Sequence, residues 1–283
     1  MQQPITSIKS PGYQRRKFAR AILARHSSKP LPTSRPDAIR VVCVSDTHNK
    51  QPELPTGDIL IHAGDLTENG SFDEVQAGLT WLSSQPHPFK FLIAGNHDVL
   101  LDEAFLQKHP ERRYGSFKTK EDLDWGDPWT PRYGISAFQY PPSTGETHWR
   151  HHLQLHRHRP HNGNPRPPKL YLDRRDIHQA GCPHLLSCIS HFRPRLHVFG
   201  HIHVAPGRQD VVLDHVRQAH DQVQIGWGGW DTLVVMALLV LWAKVKRVLV
   251  RSNLKERTTT FVNASAVRGR NNDMVHEPIV VEI

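Results

Sequence analysis

Four short blocks, Asp46-Thr47-His48, Gly64-Asp65, Gly95-Asn96-His97-Asp98 and Gly200-His201-Ile202-His203, bring together carboxylate, imidazole and amide groups. Nitrogen and oxygen donors in this mixture suit Mn, Fe, Zn or Ni without choosing among them. Asp46 and His48, one residue apart, can grip one metal where a loop turns both side chains inward. Asp65 has two oxygens with which to bridge two cations, and the glycine before it permits close backbone approach. The Asn96 amide oxygen is a weak ligand that needs anionic company, while His97 can face a substrate with Asp98 holding its ring. His201 and His203 follow one strand and can reach different metals. Two divalent metals about 3.5 to 4 Å apart generate hydroxide at neutral pH and clamp the oxygens of an in-line displacement at phosphorus. Any one block alone reads as a polar turn; four in this order point to hydrolysis of a phosphoester.

Something must carry these blocks to one place, because they span about 160 residues of sequence. Each follows a short apolar run: Ile39 to Ser45, Asp58 to Ala63, Phe89 to Ala94, and Leu196 to Phe199. Runs of this length rich in Val, Ile, Leu and Phe predict buried strands. In open α/β sheets, polar residues gather at the carboxyl ends of strands. Between the second and third blocks Phe72, Val75, Leu79 and Leu82 recur at helical spacing, and Ser71 with Glu74 has the form of a capping box. A second short helix is predicted from Leu101 to His109. Thr258 to Val262 and Ile279 to Ile283 return to strand character and suit the second sheet of a sandwich. Asp127-Pro128-Trp129-Thr130-Pro131 reads as a loop.

At 283 residues the chain is long enough for one large core plus a tail. We read residues 1–37 as a basic N-terminal arm and 38–283 as the catalytic domain. The first 36 residues contain no Asp or Glu, and Arg15 to Arg25 suits either a basic amphipathic helix or a disordered arm. The same stretch has the make-up of a mitochondrial presequence or a surface anchor. Thr232 to Ala243 is apolar but shorter than the roughly 20 residues that span a bilayer. It reads as a buried or membrane-facing helix, continued by Lys244, Lys246 and Arg247, so residues 232–250 and the arm are the places for peripheral membrane contact. Three cysteines, Cys43, Cys182 and Cys188, give no disulfide framework, which makes an intracellular, cytoplasmic setting the default. The net charge of +9 is concentrated at the two ends, and interleaved aromatics for nucleic-acid binding are lacking. The sequence sets neither substrate nor oligomeric state.

With these residues in view, the chain resembles the calcineurin-like metallophosphoesterase superfamily, whose pattern is DxH, GD, GNH[DE], H, GHxH. More narrowly it is similar to the small metallophosphoesterase-domain proteins related to the brain-type 239 group, through Arg193 to His203, Val262-Asn263-Ala264 and Pro278-Ile279-Val280-Val281. The resemblance implies a four-layer αββα sandwich. It makes Asp46, His48, Asp65 and His203 ligands of a first metal, and Asp65, Asn96 and His201 ligands of a second. It places His97 at the leaving group or the transition state, with Asp98 behind it. The implied activity is that of a phosphodiesterase on a nucleotide-like or other small phosphoester. The alternative is a catalytically impaired nucleotide-binding or scaffold protein with the same fold.

The family's remaining block, a strand followed by a Thr-His stretch that supplies one more ligand to the second metal, is missing from its place. Residues 148–168 are rich in His and Pro instead, with Leu155-His156-Arg157-His158-Arg159-Pro160-His161 at their centre. Shifting the back-translated segment by one nucleotide permits an alternating apolar strand ending in Thr-His, and ordinary sequence resumes at Pro167-Pro168-Lys169. We therefore expect 148–166 to be translated out of frame, against the alternative of a genuine His-rich insertion in which His161 substitutes as ligand. A second departure is Val204-Ala205-Pro206-Gly207, where relatives often carry Glu-Gly.

Overall fold

The computed structural model describes residues 11–26, 38–115, 118–124, 167–175, 178–250, 258–269 and 271–283. The Pro128–Pro131 loop and the His-rich part of 148–166 lie outside the described residues. In chain order the elements begin with α1 (Pro11–Leu23), β1 (Arg40–Val44), β2 (Ile59–His62), α2 (Phe72–Ser84), β3 (Phe89–Leu92) and α3 (Glu103–Lys108). The short β4 (Arg174–Arg175) and β5 (His178–Gln179) follow, then α4 (Pro183–Phe192), β6 (Leu196–Phe199), β7 (Gly207–Val212), α5 (His215–Ile225) and α6 (Trp230–Val250). The chain closes with β8 (Thr258–Asn263), β9 (Val267–Arg268), β10 (Asp273–Met274) and β11 (Ile279–Glu282). The fold is thus mixed α/β, as the apolar runs and helical spacings predict.

The described residues fall into two compact units. The larger is drawn from 32–189, 194–209 and 260–283. Its first sheet has the order β11-β1-β2-β3, with β1, β2 and β3 parallel, and in its second β6 runs parallel to β8 in the order β6-β8-β7. Alternation along β1 explains why its sequence is apolar throughout. Val41 and Cys43 pack with Val198 and Val262 of the second sheet, while Val42 and Val44 face Trp81 and Leu82 of α2. A strand buried on both faces needs a continuous apolar run rather than alternation with polar residues.

One strand sits elsewhere than expected. Ile279–Glu282 joins the first sheet, antiparallel to β1 with Val281 opposite Val41, and not the second. Its own side chains explain the choice, because Ile279 and Val281 enter the core between the sheets whereas Val280 packs on the α2 side. Helix α2 starts as its sequence dictates: Ser71 accepts from the Glu74 N–H at 3.3 Å and the Glu74 carboxylate accepts from the Ser71 N–H at 3.2 Å. Past residue 166, the chain is locked at once. Cys182 N–H donates to the Pro167 carbonyl, and Tyr171 stacks flat on Phe261 with ring centroids 4.4 Å apart.

The smaller unit, drawn from 1–31, 190–193 and 210–259, is helical around a core of Ala19, Val216, Ala219, Val223, Leu233 and Met236. The Arg15 to Arg25 stretch takes its helical alternative, as α1.

Candidate metal centre

Parallel pairing puts the carboxyl ends of β1, β2 and β3 on one edge of the first sheet, and a parallel bridge between Ser45 and Ser265 ties the end of β1 to the segment after β8. All four blocks therefore open at the same edge. Asp46 N–H donates to the Gly64 carbonyl and His48 N–H to the Asp65 carbonyl, which zips the first two blocks together. To turn their side chains inward, Asp46 (φ 53°), His48 (φ 45°), Asp65 (φ 51°) and His201 (φ 69°) all adopt left-handed backbone. Each such conformation costs on the order of 1–3 kcal/mol for a residue other than glycine, and such outliers persist where the surroundings over-determine them.

Asp46 is the hub. Its fully buried carboxylate accepts from the His201 N–H at 2.9 and 3.0 Å, from Ser265 Oγ at 2.7 Å, and lies 3.2 Å from His203 Nε2. Burial pushes its pKa up, but His203, Ser265 and Ser45 outweigh burial and hold it below the ordinary carboxylate value. Asp65 goes the other way. Burial, then the carboxylates of Asp46 and Asp98, raise it well above the ordinary range. Among the described residues no lysine or arginine forms an ion pair with Asp46, Asp65 or Asp98. Neutralisation by cations would relieve that repulsion, since buried carboxylates are tolerated only when paired or metal-bound.

The ligand atoms of Asp46, His48 and His203 lie within 4.8 Å of one another, and those of His48, Glu68 and His97 form a second such group. Neither group takes in Asp65 or His201. His201 meets Asp46 through its main chain, and Asp65 accepts from the His97 N–H at 2.8 Å. The donor set fits a divalent cation on a direct observation: Asn96 Oδ1 and both ring nitrogens of His48 are buried without hydrogen-bond partners. A polar atom so placed costs about 1–3 kcal/mol unless something satisfies it. Glu68 Oε2 stands 3.3 Å from His48 Nδ1, outside hydrogen-bonding geometry, and is itself held by Asn272 Nδ2 at 2.7 Å. Burial, then the neighbouring His97, lower the His48 pKa to about 4, so its imidazole is neutral, the form in which histidine binds metal.

His97 and Asp98 are arranged differently from their expected pairing. His97 Nδ1 lies 2.6 Å from the Glu68 carbonyl, which fixes the ring with its Nε2 available to a reacting group. Asp98 instead accepts from the main-chain N–H groups of Gly95, Leu66 and Thr67 and from Thr67 Oγ1 at 2.7 to 3.2 Å. It positions the second and third blocks against each other rather than the His97 ring.

Three further residues matter that the four blocks did not name. Ser265 holds Asp46. Asn263 Nδ2 donates to the carbonyls of Ile202 and Ala205 at 2.9 and 3.1 Å, clamping the last block. Asn263 ends β8 and Ser265 lies just beyond it, so polar residues gather at this strand end as in the other blocks. His62 lies fully buried below the site with Nε2 3.0 Å from Thr47 Oγ1, and burial lowers its pKa to about 4. Between the ordinary value of 6.5 and about 4, the unfolded chain takes up a proton at His62 that the folded chain refuses. Its contribution is therefore full above pH 6.5 and is lost as pH falls through that window, by about 3 kcal/mol. Asp65 and Asp98 act in the opposite sense, so the measurement is a difference: metal-free wild type should lose more stability to urea between pH 6.5 and 4 than His62→Gln. Equal losses would contradict this assignment.

Fold and site together present a candidate centre for divalent cations on a mixed α/β scaffold. Against known proteins, the calcineurin-like phosphoesterase family model matches residues 39–205, and the chain belongs to that family. A protein of Emericella nidulans named "Probable rhamnogalacturonate lyase C" is 38% identical over 264 residues, 87% of this chain and 24% of that protein. Human metallophosphoesterase domain-containing protein 1 is 31% identical, covering 61% of this chain and 63% of that protein. A UPF0046 protein of Caenorhabditis elegans is 29% identical, over 62% and 67% respectively. The chain spans between about a quarter and two thirds of the length of these relatives.

Proposed function

We propose that this chain is a phosphodiesterase of the dinuclear type, acting on a nucleotide-like or other small phosphoester. The observation that carries the reading is the convergence of Asp46, His48 and His203 with the partnerless Asn96 Oδ1 at one edge of the sheets. Asp46, His48, Asp65 and His203 would hold one divalent cation, and Asp65, Asn96 and His201 a second. When bound, such a pair activates water and neutralises charge on the phosphoryl oxygens. His97, with Nδ1 committed to the Glu68 carbonyl, presents Nε2 to the leaving group and can hold a proton there. Asp46 keeps His201 and His203 in register, and Asn263 keeps their loop against β8.

The impaired-protein reading draws on a separate observation. Among the described residues β6 ends the second sheet, paired with β8 on one side and with no described strand on the other. That is where a strand restored by a one-nucleotide shift in 148–166 would pair, bringing the further histidine with it. We propose that the in-frame product is the more active form, and sequencing the transcript tests the shift: an unshifted frame with no alternative product would remove the idea.

The assay for function is hydrolysis of bis(p-nitrophenyl) phosphate and of p-nitrophenyl phosphate by the chelator-stripped chain titrated with Mn²⁺. The expected result is metal-dependent turnover with the diester preferred. Nucleotide binding without turnover would support the impaired protein instead.

A further inference from the structure

Helix α6 is apolar on two faces. One face packs Leu233, Met236 and Val240 against α1 and α5. On the other, Val234 and Leu238 are each 60% exposed, Leu241 58% and Trp242 63%. Helical geometry aligns Trp230, Val234, Leu238, Leu241, Trp242 and Val245 as one stripe, interrupted only by Asp231 in the first turn. The stripe does not stop at the helix. Exposed Phe18 of α1 meets exposed Trp230 with ring centroids 5.9 Å apart, and Arg15 Nη1 donates to the Gly228 carbonyl in the turn that carries exposed Trp227.

Cations border this patch. Lys246 follows Trp242 by one turn in the same row, Lys244 is exposed on the opposite flank of the stripe, and α1 has no acidic residue while exposing Lys17 and Arg20. No described helix is long and apolar enough to cross a membrane. An apolar stripe with tryptophans, ringed by lysine and arginine, matches the layering of a bilayer interface, where indoles sit at headgroup depth and cations meet anionic lipid.

We propose that the outer face of α6, with the exposed side of α1, docks on an anionic lipid bilayer and holds the protein as a peripheral membrane protein. Charge argues against a second copy of the chain as the occupant. Face-to-face pairing would bring two surfaces of net positive charge together, and like charges disfavour such contacts. An anionic surface instead gains from each of these cations.

The test is flotation of the full chain with vesicles of phosphatidylcholine alone and of phosphatidylcholine with about a third phosphatidylserine. The expected result is partition onto the anionic vesicles with a blue shift of tryptophan emission, reversed by salt. Leu238→Ser with Trp242→Ser changes only exposed side chains and should weaken partition roughly tenfold, as should Lys244→Glu with Lys246→Glu. Absence of partition onto anionic vesicles would overturn the proposal. So would partition unchanged in both double variants, or self-association in sedimentation velocity that Leu238→Ser with Trp242→Ser abolishes while vesicle binding persists.

Discussion

Asp46→Asn should abolish metal-dependent turnover, with loss of about a thousandfold or more, and should weaken metal binding by more than the roughly 10- to 100-fold typical of groups that only support a ligand. The substitution keeps shape and removes charge. It also swaps an acceptor for a donor in a pocket where the His201 N–H and Ser265 Oγ both donate to the carboxylate and His203 Nε2 lies 3.2 Å away. One amide oxygen cannot satisfy these partners, and a buried donor facing another donor is costly. The expected signature is a fall in kcat together with loss of calorimetric Mn²⁺ binding. Unchanged metal binding would show that Asp46 is only a structural carboxylate.

Gly200→Ala should be nearly as damaging although it adds one methyl group. A Cβ at residue 200 would stand 2.0 Å from Asp46 Oδ2 and 2.1 Å from Ser45 Oγ, and 2.8 Å from Ser45 Cβ. The contact falls on buried groups with no room to retreat, so the added methyl should destabilise the fold by about 1–3 kcal/mol. It should also displace Asp46, and a shift of about 1 Å at a reacting centre can cost roughly a hundredfold in rate. The two effects separate by measuring urea unfolding and turnover on the same preparation. A variant of wild-type activity would mean that the hub moves freely, contrary to its network of hydrogen bonds.

The elements that carry the site were legible because their physics is local. A strand buried on both faces, such as Val41 to Val44, must be apolar throughout, and the polar residue that ends it is visible as a break. The capping box of α2 is likewise written in two residues three apart. What the sequence did not disclose depends on pairing across long separations. Nothing in Ile279 to Glu282 says that it neighbours β1 rather than β8, because both places bury both faces of a strand. Asp98 looks like a partner for the next-door His97 ring, yet main-chain donors 32 and 31 residues earlier, Leu66 and Thr67, claim its carboxylate. Ser265 escaped notice for the same reason, since its contact with Asp46 joins positions 219 residues apart.

We propose that these side chains hold a pair of divalent metals for phosphoester hydrolysis. The most direct measurement is the number of metal ions retained per chain after stripping with chelator, loading with Mn²⁺ and removing the excess. The wild type should retain two ions per chain, with phosphodiester turnover restored in step with their uptake. One ion or none would contradict the proposal.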